Sequence, residues 1–260
     1  MVWNLYDQSF PMIQADVGGG ISRFVEKAHK NKIVAVWAKG CAGDQNPVTR
    51  SSWRIINVDD DGEFSLEQVV FNYKDNLAQL QSLRSTQGLE VLDLLEKIED
   101  WTDEFQFKAA ETYRNIPARV SYTQLYARGG GTPQGEGKPG QKFSSFGVSL
   151  ACGELPEPVP FDPPREINYR LRLANLCGVS FVNLNSESYA ALGQLIKKLM
   201  PTKYTAVQCV TWGGMGYIPD TDGEWINGFG AANTNAWSGK MTEDAYTDGF
   251  TQLKKEVYGE

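Results

Sequence analysis

Between Val179 and Tyr217 the chain alternates β-rich runs with corners, and no other stretch constrains the fold as much. Val179-Ser-Phe-Val-Asn-Leu184, with Gly178 just ahead of it, reads as a short buried strand. Asn185-Ser186 breaks the run. Ser186 is a good N-cap, and Tyr189, Leu192, Leu195, Ile196 and Leu199 keep helical spacing up to Pro201. A helix is therefore expected from Ser186 to Leu199, with Glu187 in its first turn, where the helix dipole favours a carboxylate. Thr205 to Thr211 reads as the next strand, which empties into Trp212-Gly-Gly-Met-Gly-Tyr217-Ile-Pro. Two strands, each followed by a polar or Gly-rich corner, thus bring a carboxylate and a phenol to strand ends. In open α/β sheets that is where ligands bind.

The rest of the chain extends the same α/β pattern. Gly18-Gly-Gly20 introduces a helix from about Ile21 to Lys30, with Ile21, Phe24, Val25 and Ala28 on its apolar face. Ile33 to Trp37 reads as a short buried strand. It runs into Lys39-Gly-Cys-Ala-Gly-Asp-Gln-Asn-Pro47, a third strand-end loop that exposes backbone N–H groups and polar side chains, although a plain turn fits the spacing equally well. Asn57-Val-Asp-Asp-Asp-Gly62 copies the start of a calcium loop, but its twelfth position is Gln68 instead of Glu. Ser65-Leu-Glu-Gln68 reads instead as a capping box that opens a helix through Leu83. Gly88 interrupts, and a second amphipathic helix carries Leu89, Leu92, Leu95 and Ile98; core packing is the expected use of both.

Ile116 to Ala127 alternates as a long strand. Gly129 to Gln141 is a flexible loop that lacks the spacing of a phosphate cradle. Phe143 to Ala151 is strand-like, and Glu154 to Pro164 is a proline-rich surface excursion. Tyr169 to Asn175 alternates and pairs naturally with the strand at Val179, and Glu243 to Val257 is the last helix. No repeat and no linker divides the chain. The expected class is α/β: mixed sheet flanked by helices, in a single domain.

The totals narrow the function classes. The 260 residues carry a net charge of -7, which argues against a duplex nucleic-acid binder. No apolar run approaches the ~20 residues needed to cross a bilayer, so the chain is not expected to be transmembrane. Met-Val-Trp-Asn-Leu-Tyr-Asp at the start shows neither a basic nor an apolar leader region, which makes the cytoplasm the default location. The four cysteines, Cys41, Cys152, Cys177 and Cys209, have no CxxC spacing; free thiols in a reducing compartment are the expected state, with a disulfide left open.

Three segments in order resemble the catalytic domain of the neutral/alkaline ceramidase family. The first runs from Ala15-Asp16 through Gly20-Ile-Ser-Arg-Phe-Val-Glu26 to Val34-Ala-Val-Trp-Ala-Lys-Gly-Cys-Ala-Gly-Asp-Gln-Asn-Pro47. The second is Val179-Ser-Phe-Val-Asn-Leu-Asn-Ser-Glu187 with Ala190-Ala-Leu-Gly193. The third is Gly216-Tyr-Ile-Pro219, followed by Glu243-Asp-Ala245. The resemblance implies a zinc-dependent hydrolase of N-acyl amide bonds, with a small N-acyl amide or lipid-like substrate. Zinc would be held by two His, one Glu and one Tyr, and would polarise the carbonyl. The Glu falls on Glu187 and the Tyr on Tyr217. The loop of the catalytic hydroxyl falls on Gly43 to Pro47, which holds Asp44 and puts Asn46 where a nucleophilic Ser is expected. A donor Tyr past the ligand Tyr is replaced by Phe229; losing such a donor costs about 3 kcal/mol of barrier.

The chain has one histidine, His29, which lies on the first helix and reads as a surface residue. Both histidine ligands would lie upstream of Asp16. The chain therefore resembles the C-terminal portion of such a domain, as a truncated product or as part of a split enzyme. Apolar surface left by the missing half would be covered by a second copy or a partner chain. The alternative is a non-catalytic ligand-binding or structural module on the same fold. Asn46, Phe229 and the missing His pair motivate it.

Overall fold

The computed structural model describes residues 16–45, 52–58, 64–70, 73–99, 104–121, 142–144, 147–149, 158–223 and 233–259. Contacts group the chain into two compact units, Met1–Ala38 with Asn46–Thr102, and Lys39–Gln45 with Asp103–Glu260.

The first unit holds helix α1 (Asp16–Ala28), strands β1 (Ser52–Val58) and β2 (Phe64–Val70), and helix α2 (Tyr73–Glu96). Helix α1 packs on α2. Gly18 to Gly20 lie inside α1 instead of ahead of it. Gly88 does not interrupt α2. A Cβ at Gly88 would come 2.4 Å from the Phe24 ring, so this glycine permits the close approach of the two helices. That packing offsets its propensity cost of about 1 kcal/mol.

The capping box expected at Ser65 to Gln68 is strand. These residues lie in β2, antiparallel to β1 with Ile55 opposite Glu67. The β-branched residues of Ile55-Ile-Asn-Val58 and Val69-Val70 favour a ladder, and cross-strand pairing outweighs a local cap. Residues 59–63, the middle of the calcium-like stretch, fall outside the described residues. The run Ile33 to Trp37 is not a strand either. Val34 is 84% exposed and Val36 87%. The Ala35 N–H donates to Glu26 Oε1 at 3.1 Å instead of to a ladder. Among the described residues no strand pairs with this run, and an apolar stretch without a ladder partner forms no strand.

The second unit comprises β3 (Phe107–Pro117), β4 (Lys142–Ser144), β5 (Gly147–Ser149), β6 (Glu166–Leu176), β7 (Val179–Leu184), β8 (Glu187–Ser188), α3 (Ala190–Leu199), β9 (Tyr204–Gln208), β10 (Tyr217–Ile218) and α4 (Gly239–Tyr258). Its main sheet has the order β3-β6-β7-β9. The first three strands are antiparallel neighbours and β9 lies parallel to β7. Strands β6 and β7 join through Cys177-Gly178, both at positive φ (50° and 84°), the turn whose twist suits paired strands. Between β7 and β9 the chain crosses over through α3. The class is α/β as expected, a mixed sheet flanked by helices.

Alternation sets the two faces of the sheet. Ile167, Tyr169, Leu171 and Leu173 of β6 and Val182 and Leu184 of β7 are buried. They form one core with Leu192 and Ile196 of α3 and with Tyr246, Phe250, Leu253 and Val257 of α4. The opposite face of β3 and β6 is polar: Arg170 and Arg172 both pair with Glu111. Strand β3 starts about ten residues before the strand expected at Ile116 to Ala127, and it ends at Pro117, which has no N–H to continue a ladder. Residues 122–127 of that expected strand lie outside the described residues. Helix α4 starts four residues earlier than expected because Ser238 caps it, its Oγ accepting the Met241 N–H at 3.2 Å.

Candidate functional site

The corner after β7 is a pair of short strands, not a helix start. Ser186 does not cap α3; the N-cap is Tyr189, with no side-chain cap. Residues Glu187 and Ser188 form β8, which runs parallel to β10 with Glu187 opposite Tyr217. Glu187 is therefore on a strand and outside the helix dipole's first turn. The reason lies in the loop before β10. The Glu187 N–H donates to the Gly216 carbonyl at 2.8 Å and the Tyr189 N–H to the Ile218 carbonyl at 3.0 Å. The Val210 N–H donates to Ser186 O and the Met215 N–H to Asn185 O. These long-range bonds satisfy backbone groups that a local helix would otherwise have used. Beneath them the hydroxyls of Ser186, Ser188 and Tyr246 share a buried network, with separations of 2.7, 3.0 and 3.1 Å.

The site is built on this corner. The Tyr217 phenol is close enough to the Glu187 carboxylate to feel its charge. Its pKa is pushed up to about 12, first by burial and then by the charge of Glu187. Loop Lys39–Gln45 closes one side. The Lys39 carbonyl accepts from the Cys209 N–H at 2.9 Å, and the Gly43 N–H donates to the Ser188 carbonyl at 3.0 Å. Asp44 Oδ1 accepts the Ala190 N–H at 2.9 Å and so serves the N-terminus of α3, which has no cap of its own. Lys39 Nζ lies 3.3 Å from Glu187 Oε1, with the two side chains 9% and 20% exposed. The ammonium and Glu187 Oε2 are buried without a hydrogen-bond partner.

Of the residues expected at the site, the fold thus brings Glu187 and Tyr217 together and commits one oxygen of Asp44 to a helix end. Asn46 and Phe229 lie outside the described residues. His29 is exposed just past the end of α1. Lys39 is the site residue that sequence reasoning missed. No local signal marks it, because a lysine at the start of a loop does not record which distant carboxylate it will face. Cys41, Cys177 and Cys209 are free thiols, with Cys41 Sγ on the loop 3.4 Å from Cys209 Sγ; Cys152 is outside the described residues.

No family model matches the sequence, and no curated protein matches it. The architecture does match solved structures. Neutral ceramidase from Pseudomonas aeruginosa superposes with a TM-score of 0.60 at 12% identity, covering 98% of this chain and 43% of that one. The chain has the ceramidase fold. A second structure, a ceramidase complexed with C2, gives a TM-score of 0.56 at 11% identity, over 98% of this chain and 44% of its own. The chain therefore spans less than half the length of these ceramidases and is a divergent structural relative of them.

The described residues do not fit a ceramidase-type zinc ion. Among them no group of three or more His, Cys, Asp or Glu side chains could hold a metal. Glu187 and Tyr217 give two ligands where a zinc site takes three or four. The carboxylate that would bind the ion already faces an ammonium.

Proposed function

We propose that this chain is a ceramidase-like protein whose Lys39–Glu187–Tyr217 site receives the amide group of a small N-acyl or lipid-like ligand. The observation that carries this reading is the pairing of a buried ammonium and a buried carboxylate oxygen, neither hydrogen-bonded within the protein. An amide offers one acceptor, its carbonyl oxygen, and one donor, its N–H. The carbonyl complements Lys39 Nζ and the N–H complements Glu187 Oε2. Buried polar groups are costly unless hydrogen-bonded, so a ligand that meets both would be selected.

The ceramidase fold and the adjacency of Glu187 and Tyr217 favour a second reading, hydrolysis of that amide. In that reading the ammonium beside the carbonyl oxygen would stabilise developing negative charge. Zinc-dependent cleavage is the finer form that the resemblance brings, and no step is assigned to the ion because the residues described do not fit it.

One assay separates these readings. Short- and long-chain N-acyl amides are titrated onto the purified chain, and release of free amine is followed in parallel. Binding that weakens at least tenfold in Glu187→Gln, without amine release, supports the receptor. Turnover abolished by Glu187→Gln supports the hydrolase. Binding and turnover both absent, or both indifferent to Glu187→Gln, would overturn the proposal.

A further inference from the structure

We infer that Lys39 is the resident cation of this site: the Lys39–Glu187 ion pair takes the place that a metal ion would hold, and the site works without one. The ammonium lies 3.3 Å from Glu187 Oε1 on a side chain only 9% exposed. An ammonium this deep is stable only beside an opposite charge, since its lost hydration is otherwise uncompensated. Its place is set by the fold. The loop that carries it is bonded at Lys39 O to Cys209, at Gly43 N to Ser188, and through Asp44 Oδ1 to Ala190. Gly43 is packed so tightly on β8 that a Cβ there would come 2.3 Å from the Glu187 carbonyl oxygen. The loop cannot swing the ammonium away without breaking these contacts.

A divalent ion held by Glu187 and Tyr217 would sit at contact range of this ammonium. With one carboxylate shared between two cations in a site of little water, like-charge repulsion disfavours the metal. The pair is also neutral in sum, which disfavours free anions and free cations alike.

This inference goes beyond the amide reading and holds whatever ligand the site takes. Its test uses zinc ions alone and thermal unfolding, so it fails independently of any ligand assay. Zinc is titrated by calorimetry into the full chain and into Glu187→Gln. The expected result is no zinc uptake that depends on Glu187. In parallel, Lys39→Met, Glu187→Gln and the double variant are melted. Each single variant leaves one buried charge unpaired and is expected to lower Tm by roughly 6 °C or more. The double variant removes both charges and is expected to recover at least half of the larger loss. If a single variant fails to fold, a folded double variant reports the same coupling. One zinc per wild-type chain that is lost in Glu187→Gln would overturn the inference, and so would losses that simply add in the double variant.

Discussion

Gly43 has room for a hydrogen and nothing larger, because the atom a methyl would meet is a backbone oxygen of Glu187 that cannot turn aside. Gly43→Ala is expected to cost about 1–3 kcal/mol in urea unfolding. It should also part Lys39 from Glu187, so that a following Glu187→Gln costs less than it does in the wild-type chain. Glu111, on the open face of the sheet, shows a different residue-scale effect. Arg170, Tyr113 and Arg172 all hydrogen-bond its carboxylate. Arg170 first, then Tyr113 and Arg172, hold its pKa down from 4.5 to about 2. A depressed carboxylate contributes stability that is present above its unfolded pKa and is lost as pH falls through the folded value. Glu111→Gln is therefore expected to destabilise the protein near neutral pH. The difference from wild type should shrink from pH 4.5 downward and vanish below about pH 2, as chemical denaturation along a pH series would read. A difference that stayed constant across the series would mean that packing, and not charge, is what Glu111 supplies.

Helix α4 is the element that closes the core over β3 and β6. Its cap and its buried face should respond differently to substitution. Phe250 is fully buried, edge-on to Tyr246, and Phe250→Ala is expected to cost about 3–5 kcal/mol. Ser238→Ala removes only the cap on the Met241 N–H and is expected to cost about 1 kcal/mol. Equal losses in thermal unfolding would show that the cap orders more than its own turn. Tyr246→Phe is expected to fall on the scale of the cap. Its hydroxyl is hydrogen-bonded to both Ser186 and Ser188, which also bond each other, so the serines keep one partner and the expected loss is about 1 kcal/mol. The last helix, the strand at Val179 and its hairpin with β6 were legible from periodicity because each buries one regular face. The start of α3 was not legible. Ser186 has the chemistry of a cap, but its hydroxyl is spent on Tyr246 and its carbonyl on Val210. The capping box at Ser65 failed for the same reason, as pairing with a distant strand outweighed a local hydrogen bond.

The second unit is assembled from two separate pieces of chain, since Lys39–Gln45 joins Asp103–Glu260. A fragment beginning at Asp103 lacks the loop that supplies Lys39 and Asp44. It is expected to melt below the full chain, and Glu187→Gln should cost it less than it costs the full chain, because the carboxylate has already lost its ammonium. Thermal unfolding of the four proteins checks both points. From sequence alone the α/β class, the strand–helix–strand order from Val179 to Thr211, the pairing of the Tyr169 run with the strand at Val179 and the placing of Glu187 and Tyr217 at strand ends could be read. Each of these depends on local alternation, helical spacing or turn chemistry. Only the tertiary structure decided that Glu187 sits on a strand opposite Tyr217, that Asp44 serves a helix end, and that Lys39 faces the carboxylate where a metal was expected. Those outcomes rest on hydrogen bonds between segments distant in sequence, such as Glu187 to Gly216 and Cys209 to Lys39, and no local pattern records which distant partner wins.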